Sequence, residues 1–470
     1  MSGMRRPRSV VLAALIGALV LVPTGVAGGF ENAPGDQLWE ARYSTPGSDH
    51  PRAMAVSPDG SRVFVTGNSY QRHNPSDWAT VAYDASNGAP LWRSTYNGPG
   101  NGDDTAAAVT VSPDGSKVFV TGISDGGPTH QDYATVAYDA STGAVLWTAR
   151  YDGNNHTFDV ATALAVSPDG SKVFVTGYSA IDVYLIDYVT IAYDAGTGEG
   201  LWRQQYNGPP KDEADFAYAV GVSPDGSKVY VAGSSYPVHG SLTYENATLA
   251  YDSATGTPLW LAENPGPIYI RPKPYSMAVS PDGTRVYIGG SVYGGSSNND
   301  FEAIALDAAT GATLWLDQYN GFGKGQDYGW SVALSPDGTR LFLTGESWLA
   351  NANDYLTIAY DTADGTHLWV AREDGPAHDD DRARSVAVSP DGSEAFVTGA
   401  SSTGTELDYM TVAYEAASGS ELWNERYRPG GGDDRGRVVA ASPDGSKVFV
   451  TGWSDDTTGF ADFATLAYQP

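Results

Sequence analysis

The chain of 470 residues contains no cysteine and has few basic side chains. The absence of cysteine excludes disulfides, thiolate zinc sites, cysteine nucleophiles and a lipid-modified N-terminal cysteine. The 27 Lys and Arg residues are outnumbered by 56 Asp and Glu residues, which gives a formal charge of −29. Nucleic acids and anionic membranes bind clustered positive charge, so neither is expected as the main partner. An aromatic content of 11% nevertheless excludes a disordered acidic chain.

The N-terminal segment is typical of an export signal. Arg5, Arg6 and Arg8 precede an apolar run over residues 10–22, and the small residues at 25–27 suit cleavage. This run of 13 residues is shorter than the roughly 20 residues that a transmembrane helix needs. We therefore expect residues 1–27 to be a removable signal peptide and residues 28–470 to form the exported protein. An uncleaved anchor is the alternative, and no later segment is suited to spanning a membrane.

One unit of about 55 residues repeats through the rest of the chain, and a period of this size is typical of propellers and solenoids. Each unit has four short runs of β-branched and aromatic residues between turn residues, without a 3.6-residue period. We therefore predict an all-β fold, a single eight-bladed β-propeller of four-stranded antiparallel blades spanning residues 28–470. The unit is marked by Ser-Pro-Asp-Gly, which begins at Ser57, Ser112, Ser167, Ser223, Ser280, Ser335, Ser389 and Ser442.

The two ends of the repeated region are predicted to close the ring. The eighth unit stops at residues 467–470, where its fourth strand should begin. A matching segment stands near the other end, where Gly35 precedes Trp39 by four residues just as Gly143 precedes Trp147. We therefore expect the N-terminal strand to complete the last blade, which an open solenoid would not require.

A second motif carries a resemblance to a known family. Residues 137–147 have the pattern A-x-D-x-x-T-G-x-x-x-W, which returns at 192–202, 250–260 and 305–315. The pattern resembles the tryptophan-docking motif of the eight-bladed PQQ-like propellers of the quinoprotein alcohol dehydrogenase-like superfamily. The Ser-Pro-Asp-Gly turn with Val-Phe-Val-Thr-Gly is similar to the YVTN repeat of surface-layer propellers. The Asp can bind backbone N–H groups, and a buried Trp joins two blades. The docking tryptophans are Trp39, Trp92, Trp147, Trp202, Trp260, Trp315, Trp369 and Trp423.

Two acidic positions also repeat. Such carboxylates could bind calcium, because hard cations prefer clustered oxygen ligands. A carboxylate present in almost every blade is more economically a backbone cap or an interblade hydrogen-bond partner, so we predict no metal site. The first position is Asp49, Asp104, Asp159, Asp215, Pro272, Asp327, Asp381 and Asp434. The second is Asp77, Asp132, Asp187, Glu245, Asp300, Asp354, Asp408 and Asp462.

A unique site is expected where the repeat is broken. Five residues before each Ser-Pro-Asp-Gly serine, near the mouth of the central channel, blades 7, 8 and 1 have arginine and blades 4 to 6 have aromatic residues. Arginine binds carboxylates and phosphates, and aromatic rings stack on sugars. Alternatively, the arginines neutralise nearby aspartates and the rings plug the channel. The predicted ligand-binding residues are Arg52, Tyr218, Tyr275, Trp330, Arg384 and Arg437, with His50, Arg382 and Arg435 close by.

A second irregularity falls in blades 4 and 5. Pro272 replaces the repeated aspartate there and follows an insertion over residues 263–271. This segment could form a lip over the channel mouth, although drift of a surface loop is the simpler explanation. The secondary candidates for ligand contacts are His239, Tyr269, Arg271 and Lys273.

We expect an exported, non-catalytic and monomeric propeller that binds a protein or glycan at the mouth, either secreted or held in the cell envelope or periplasm. The resemblance to quinoproteins implies an alternative, a PQQ-dependent oxidoreductase with calcium on the propeller axis. A polysaccharide lyase or hydrolase is another, and would need an acid and a base at the mouth. No catalytic residue is assigned, since none of the seven histidines lies in a catalytic motif. No cofactor is expected, because several quinoproteins carry adjacent cysteines that this chain lacks.

Overall fold

The computed structural model describes residues 32–470 except 71–74, 129, 154–155, 182–184, 209–213, 237–243, 266–272, 295–297, 350–351 and 456–458. Residues 34–470 form one compact unit. The predicted signal peptide lies outside the described residues. Among the residues that are described, no helix is long and apolar enough to cross a membrane.

The described chain contains 32 β-strands in eight antiparallel four-stranded sheets, which confirms the predicted eight-bladed propeller. The first half of the chain supplies β1 (Gln37–Tyr43), β2 (Asp49–Val56), β3 (Arg62–Tyr70), β4 (Ser76–Asp84), β5 (Pro90–Tyr96), β6 (Thr105–Val111), β7 (Lys117–Asp125), β8 (Gln131–Asp139), β9 (Val145–Tyr151), β10 (Asp159–Val166), β11 (Lys172–Ala180), β12 (Ile186–Asp194), β13 (Gly200–Tyr206), β14 (Phe216–Val222), β15 (Lys228–Ser235) and β16 (Glu245–Asp252). The second half supplies β17 (Pro258–Pro265), β18 (Lys273–Val279), β19 (Arg285–Tyr293), β20 (Asn299–Asp307), β21 (Thr313–Tyr319), β22 (Asp327–Leu334), β23 (Arg340–Leu349), β24 (Ala352–Asp361), β25 (His367–Glu373), β26 (Asp381–Val388), β27 (Glu394–Ser402), β28 (Leu407–Glu415), β29 (Glu421–Tyr427), β30 (Asp434–Ala441), β31 (Val448–Asp455) and β32 (Ala461–Tyr468).

The last blade is assembled from both ends of the chain. Its strand order is β1-β32-β31-β30, so the N-terminal strand occupies the outer edge of the sheet. The amide of Gly35 donates to the carbonyl of Gln469 at 2.9 Å, and the amide of Gln469 donates to Asp36 at 2.9 Å. The predicted closure of the ring by the N-terminal strand is thereby confirmed.

The Ser-Pro-Asp-Gly turns join the first two strands of each blade through local hydrogen bonds. In blade 2, the hydroxyl of Ser112 donates to Asp114 at 2.5 Å, and the amide of Ser116 donates to the same carboxylate at 3.0 Å. Gly115 has φ of 70°, a conformation that L-residues with a side chain rarely adopt. The turn therefore requires these residue types, which explains its return in each unit.

The docking tryptophans lie between neighbouring blades. The indole N–H of Trp147 donates to the carbonyl of Ala195 in the next blade at 3.1 Å. A Cβ at Gly198 would lie 2.6 Å from the Trp147 ring, so glycine permits this close packing. Seven of the eight tryptophans make the corresponding bond, whereas the indole nitrogen of Trp423 has no hydrogen-bond partner in the described chain.

Candidate functional site

A β-bulge interrupts the innermost strand of each blade at the position singled out by the repeat. Every pairing of a first strand with a second strand shifts register at the position five residues before the Ser-Pro-Asp-Gly serine. Around Arg384, for example, Ala383 pairs with Gly399 and Ser385 with Thr398. A bulged residue has no partner opposite it on the neighbouring strand. Its side chain can therefore point in a direction that differs from the regular up-and-down alternation of the strand. A Cβ at Gly399 would overlap the carbonyl of Arg382. This close approach explains why glycine follows Thr398 in the second strand.

The bulged residues of blades 5 to 8 and 1 line one cavity at the channel mouth. Its volume is about 620 Å³, and its lining includes five of the six predicted ligand-binding residues: Arg52, Tyr275, Trp330, Arg384 and Arg437. The sixth, Tyr218, is not among the lining residues, but its ring lies 5.9 Å from that of Tyr275. The ammonium of Lys273 lies 5.9 Å from the Tyr275 ring. The other secondary candidates, His239, Tyr269 and Arg271, lie outside the described residues.

Positive charge is concentrated in this cavity. Five arginines line it, namely Arg52, Arg382, Arg384, Arg435 and Arg437, and no carboxylate is among its described lining residues. The whole chain has only 27 basic residues and a charge of −29, so this concentration is unlike the rest of the molecule. Like charges held together raise the local attraction for an anion.

Among the five arginines of the cavity, Arg437 has the fewest partners for its positive charge. It makes no hydrogen bond or ion pair with any part of the chain that the structure describes. Burial lowers the pKa of its guanidinium to about 10, and the charges of Arg52 and Arg384 act in the same direction. A guanidinium presents several N–H donors in a planar fork, so this side chain is available to a carboxylate or phosphate.

Arg384 is held against an aromatic ring and an acid. Its Cζ lies 4.3 Å from the centre of the Trp330 ring, and its Nη2 lies 3.6 Å from Oε1 of Glu346. The indole N–H of Trp330 donates to the same oxygen at 3.2 Å. Burial lowers the pKa of Arg384, and the nearby Glu346 carboxylate opposes this effect. Trp330 and Glu346 together fix the position of the guanidinium.

Two rings of the predicted aromatic arc stack beside this arginine, whereas the ring of Tyr218 is tilted by 54° against that of Tyr275. The rings of Tyr275 and Trp330 lie 4.5 Å apart at an interplanar angle of 28°. Along the ring of blades, Trp330 therefore has Tyr275 on one side and Arg384 on the other. The stack orders the cationic group, and it leaves little of the Trp330 face for a sugar.

Serines next to the bulges bind the blades of this arc to one another. Each hydroxyl oxygen accepts a hydrogen bond from a backbone amide of the following blade, at 3.2 to 3.3 Å. Most other blades have alanine at this position, and alanine has no hydroxyl group to accept such a bond. These interblade bonds therefore occur beside the cavity. The pairs are Ser276 with Val332, Ser331 with Val386, and Ser385 with Val439.

The rim of the cavity contains residues that the sequence analysis placed only approximately. Nη2 of Arg382 donates to Asp380 at 2.8 Å, and Nη2 of Arg435 donates to Asp433 at 2.9 Å. Cζ of Arg435 also lies 5.7 Å from the ring of Trp453. His50 packs on that same ring at 5.5 Å.

Glu346 and Trp453 were missed by sequence reasoning, although a signal existed. Both follow the Thr-Gly pair of the second strand, a position that varies from blade to blade. Asn68 occupies it in blade 1 and accepts a hydrogen bond from Nε of Arg52 at 3.3 Å. This position therefore faces the bulged residue of the same blade and adjusts its surroundings.

Most aspartates of the first series accept hydrogen bonds from backbone amides, and none has an ion pair with a channel arginine in the described chain. Asp381 accepts hydrogen bonds from the amides of Gly375 at 2.5 Å and Ser402 at 3.1 Å. Asp49 accepts one from Thr45 at 2.7 Å, and burial raises the pKa of Asp49 to about 6. These aspartates therefore satisfy backbone amides of the loops at the start of the innermost strand.

The second series is compensated by arginines of the fourth strands in several blades. Nη2 of Arg150 lies 2.7 Å from Asp132. Two groups of three carboxylates have ligand atoms within 4.8 Å of one another, Asp132 with Asp152 and Asp159, and Asp354 with Asp374 and Asp381. Arg150 contacts the first group and Arg372 the second, so each has a cation from the chain itself. The absence of a metal site remains a prediction.

Comparison with known proteins identifies the family. The model of the PQQ_2 family, described as outer membrane protein assembly factor BamB, matches residues 23–315 and 245–455. The chain belongs to the PQQ_2 family. A comparison with curated proteins found no match.

Solved structures similar to this PQQ_2 propeller include an alcohol dehydrogenase and a protein solved with a bound segment of a ribosomal protein. Quinohemoprotein alcohol dehydrogenase ADHIIG from Pseudomonas putida HK5 is 13% identical with a TM-score of 0.57, covering 92% of this chain and 76% of that chain. Sqt1 from Chaetomium thermophilum, bound to the N-terminus of ribosomal protein L10, is 14% identical with a TM-score of 0.56, covering 93% and 100%. BamB from Moraxella catarrhalis is 14% identical with a TM-score of 0.44, covering 93% and 98%. At these identities the likeness shows the fold alone.

The mouth of this PQQ_2 propeller does not fit the calcium ion that the resemblance to quinoproteins implies beside the quinone. Calcium requires several oxygen ligands, preferably carboxylates. No carboxylate is among the described lining residues, and five arginines would repel a cation there. The nearby Glu346 is already engaged by Trp330, Arg382 and Arg384.

Proposed function

We propose that this PQQ_2 propeller is an exported, non-catalytic binding protein that recognises an anionic group of a protein or glycan at its channel mouth. It works as a monomer without a cofactor, and it is secreted or retained in the cell envelope or periplasm. The observation that carries the proposal is Arg437, which lies in a cavity with four other arginines and has no ion pair in the described chain.

The charge distribution supports an anionic ligand. Arg52, Arg384 and Arg437 belong to three consecutive blades of the closed ring, so their repulsion is built into the fold. A carboxylate or phosphate between them would relieve this repulsion and accept charge-assisted hydrogen bonds. The stack behind Arg384 and the interblade serines hold the donors in place before the ligand arrives, which reduces the entropy lost on binding.

The family match and the N-terminal segment support the location. The family is described by an outer membrane protein assembly factor, and an export signal is predicted at residues 1–27. An assembly or scaffold role in the envelope is consistent with a rigid propeller that offers one charged mouth.

The proposal is tested by isothermal titration of the purified protein with galacturonic acid tetramer, tetraglutamate and an uncharged galactose tetramer. We expect at least one of the two anions to bind and the uncharged tetramer not to bind. Arg437→Gln should weaken that binding about 10- to 100-fold, since a hydrogen bond to a charged group contributes about 1.5–3 kcal/mol. Higher salt should also weaken it.

A matched control is Arg203→Gln, which removes an arginine from the outer strand β13, where its guanidinium lies 5.1 Å from Tyr151. This variant should bind the anion with unchanged affinity. Failure of both anions to bind, or equal affinity of Arg437→Gln and the unaltered protein, would refute the proposed function.

A further inference from the structure

A second cavity lies beside the channel cavity, over blade 6. It has a volume of about 570 Å³, shares Arg382 with the channel cavity and is lined by Lys324, Gln326, Tyr328, Trp348 and Asn353. We call this second cavity the outer groove. Tyr328 of the outer groove stacks beside Trp330 of the channel cavity, with the two rings 6.0 Å apart at an angle of 24°. A ligand longer than the mouth would meet this groove next, beyond Arg382.

A different path leads over blade 7, and its charge is opposite. This third cavity of about 330 Å³ includes Arg382 and Arg435, but four carboxylates outnumber them, namely Asp379, Asp380, Glu406 and Asp433. The outer groove contains one carboxylate, Glu346, which is already paired with arginines. An anionic chain that leaves the mouth is repelled by the path over blade 7 and accepted by the outer groove.

The outer groove offers an aromatic ring and amide groups. Trp348 has 37% of its surface exposed, which is unusual for a tryptophan of this fold, whereas Trp330 has neighbours on both sides. The side-chain NH2 groups of Asn298 and Asn353 donate to Lys324 and Asp380, at 2.8 and 3.0 Å. Their carbonyl oxygens can then accept hydrogen bonds from hydroxyl groups. A sugar ring matches both features, because its hydroxyl groups donate hydrogen bonds and its apolar face stacks on an aromatic ring.

We propose that the ligand is an oligosaccharide of carboxylated sugars, with one carboxylate bound by Arg437, Arg384 and Arg52 and a later sugar ring stacked on Trp348. The chain between them passes Arg382, which lines both cavities. This inference rests on the proposed anion-binding function and adds the class of ligand and its direction of exit.

The experiment is an affinity series with galacturonic acid and its dimer, trimer, tetramer and hexamer, measured by isothermal titration. We expect affinity to rise about tenfold or more from the monomer to the tetramer and then to level off. Trp348→Ala should abolish this gain and leave monomer affinity unchanged, whereas Trp348→Tyr should retain most of it. The exposed ring of Phe322 is not part of either cavity, so Phe322→Ala is the matched control and should change nothing.

The possible results separate this inference from the function on which it rests. Binding of the monomer without any gain on lengthening would overturn the inference and leave the anion site intact. Tight binding of tetraglutamate that depends on Trp348, without binding of the sugars, would identify an acidic peptide and overturn the glycan assignment. If neither anion binds at all, the proposed function fails as well.

Discussion

Replacing Glu302 by glutamine should change how the stability of this protein depends on pH. Glu302 lies between blades 4 and 5 and is only 4% exposed. Asn246 of the preceding blade and Gln318 both donate hydrogen bonds to its carboxylate. In most other blades this position is alanine or a larger apolar residue, so an acid here is specific to one interface.

The magnitude follows from the pKa of this carboxyl group. Burial raises the pKa of Glu302 from its usual 4.5 to about 7, while the two amide donors act in the opposite direction. The folded protein therefore retains this proton up to a higher pH than the unfolded chain does. Stability from this group is complete below pH 4.5 and is lost as the pH rises through about 7. From the difference between the two pKa values, ionisation of Glu302 lowers the free energy of unfolding at pH 8 by about 3 kcal/mol.

A glutamine cannot ionise, so Glu302→Gln should avoid this loss. With an unfolding entropy of about 2.1 cal/mol/K per residue, about 3 kcal/mol in a chain of this size corresponds to about 3 °C in Tm. We expect the Tm of the variant minus that of the unaltered protein to be about 3 °C higher at pH 8 than at pH 4.5. The buried aspartates titrate in both proteins, so their effect cancels in this difference.

The assay is differential scanning calorimetry from pH 4.5 to pH 8 at one ionic strength. Glu199→Gln, at an exposed turn residue, is the control and should give a difference that does not vary with pH. A Tm difference for Glu302→Gln that is equal at pH 4.5 and pH 8 would refute the reasoning, because the buried carboxyl would then have an ordinary pKa.

Two further predictions concern residues that the repeat requires. Trp147→Phe should destabilise the protein by about 1 kcal/mol more than Trp423→Phe, because only the indole N–H of Trp147 has a hydrogen-bond partner. Equal losses in urea unfolding would contradict this. Gly399→Ala should lower stability by about 1–3 kcal/mol, since its Cβ would overlap backbone in the bulged region. Gly200→Ala is its control, because a Cβ there meets nothing within 4 Å, and similar Tm values for the two variants would count against the bulge argument.

Much of the candidate site was accessible from the sequence because the repeat supplied an internal alignment. The position of Arg384 and Arg437 in each unit showed that they replace aromatic or small residues of other blades. The order of blades then placed them beside Arg52 once the ring was closed. Each step used residues a few positions apart or the constant spacing of the units.

The local bulge and the partners of these arginines were not accessible in the same way. Glu346 belongs to the second strand of blade 6, and it contacts Arg382 and Arg384 of blade 7. No spacing within one unit predicts such a contact, since it depends on the angle between two blades. The same holds for Glu302 and Asn246, which are 56 residues apart.

The number of blades, their four-strand order, the turns and the closure of the ring could all be predicted from the amino-acid sequence alone. These features depend on hydrogen bonds and packing among nearby residues, and the sequence pattern for each of them recurs in successive units. Three properties became apparent only in the folded chain: five arginines share one cavity, Trp330 supports Arg384, and the cavity over blade 7 is acidic. Those properties arise where side chains far apart in the sequence meet and their charges add within a few ångströms.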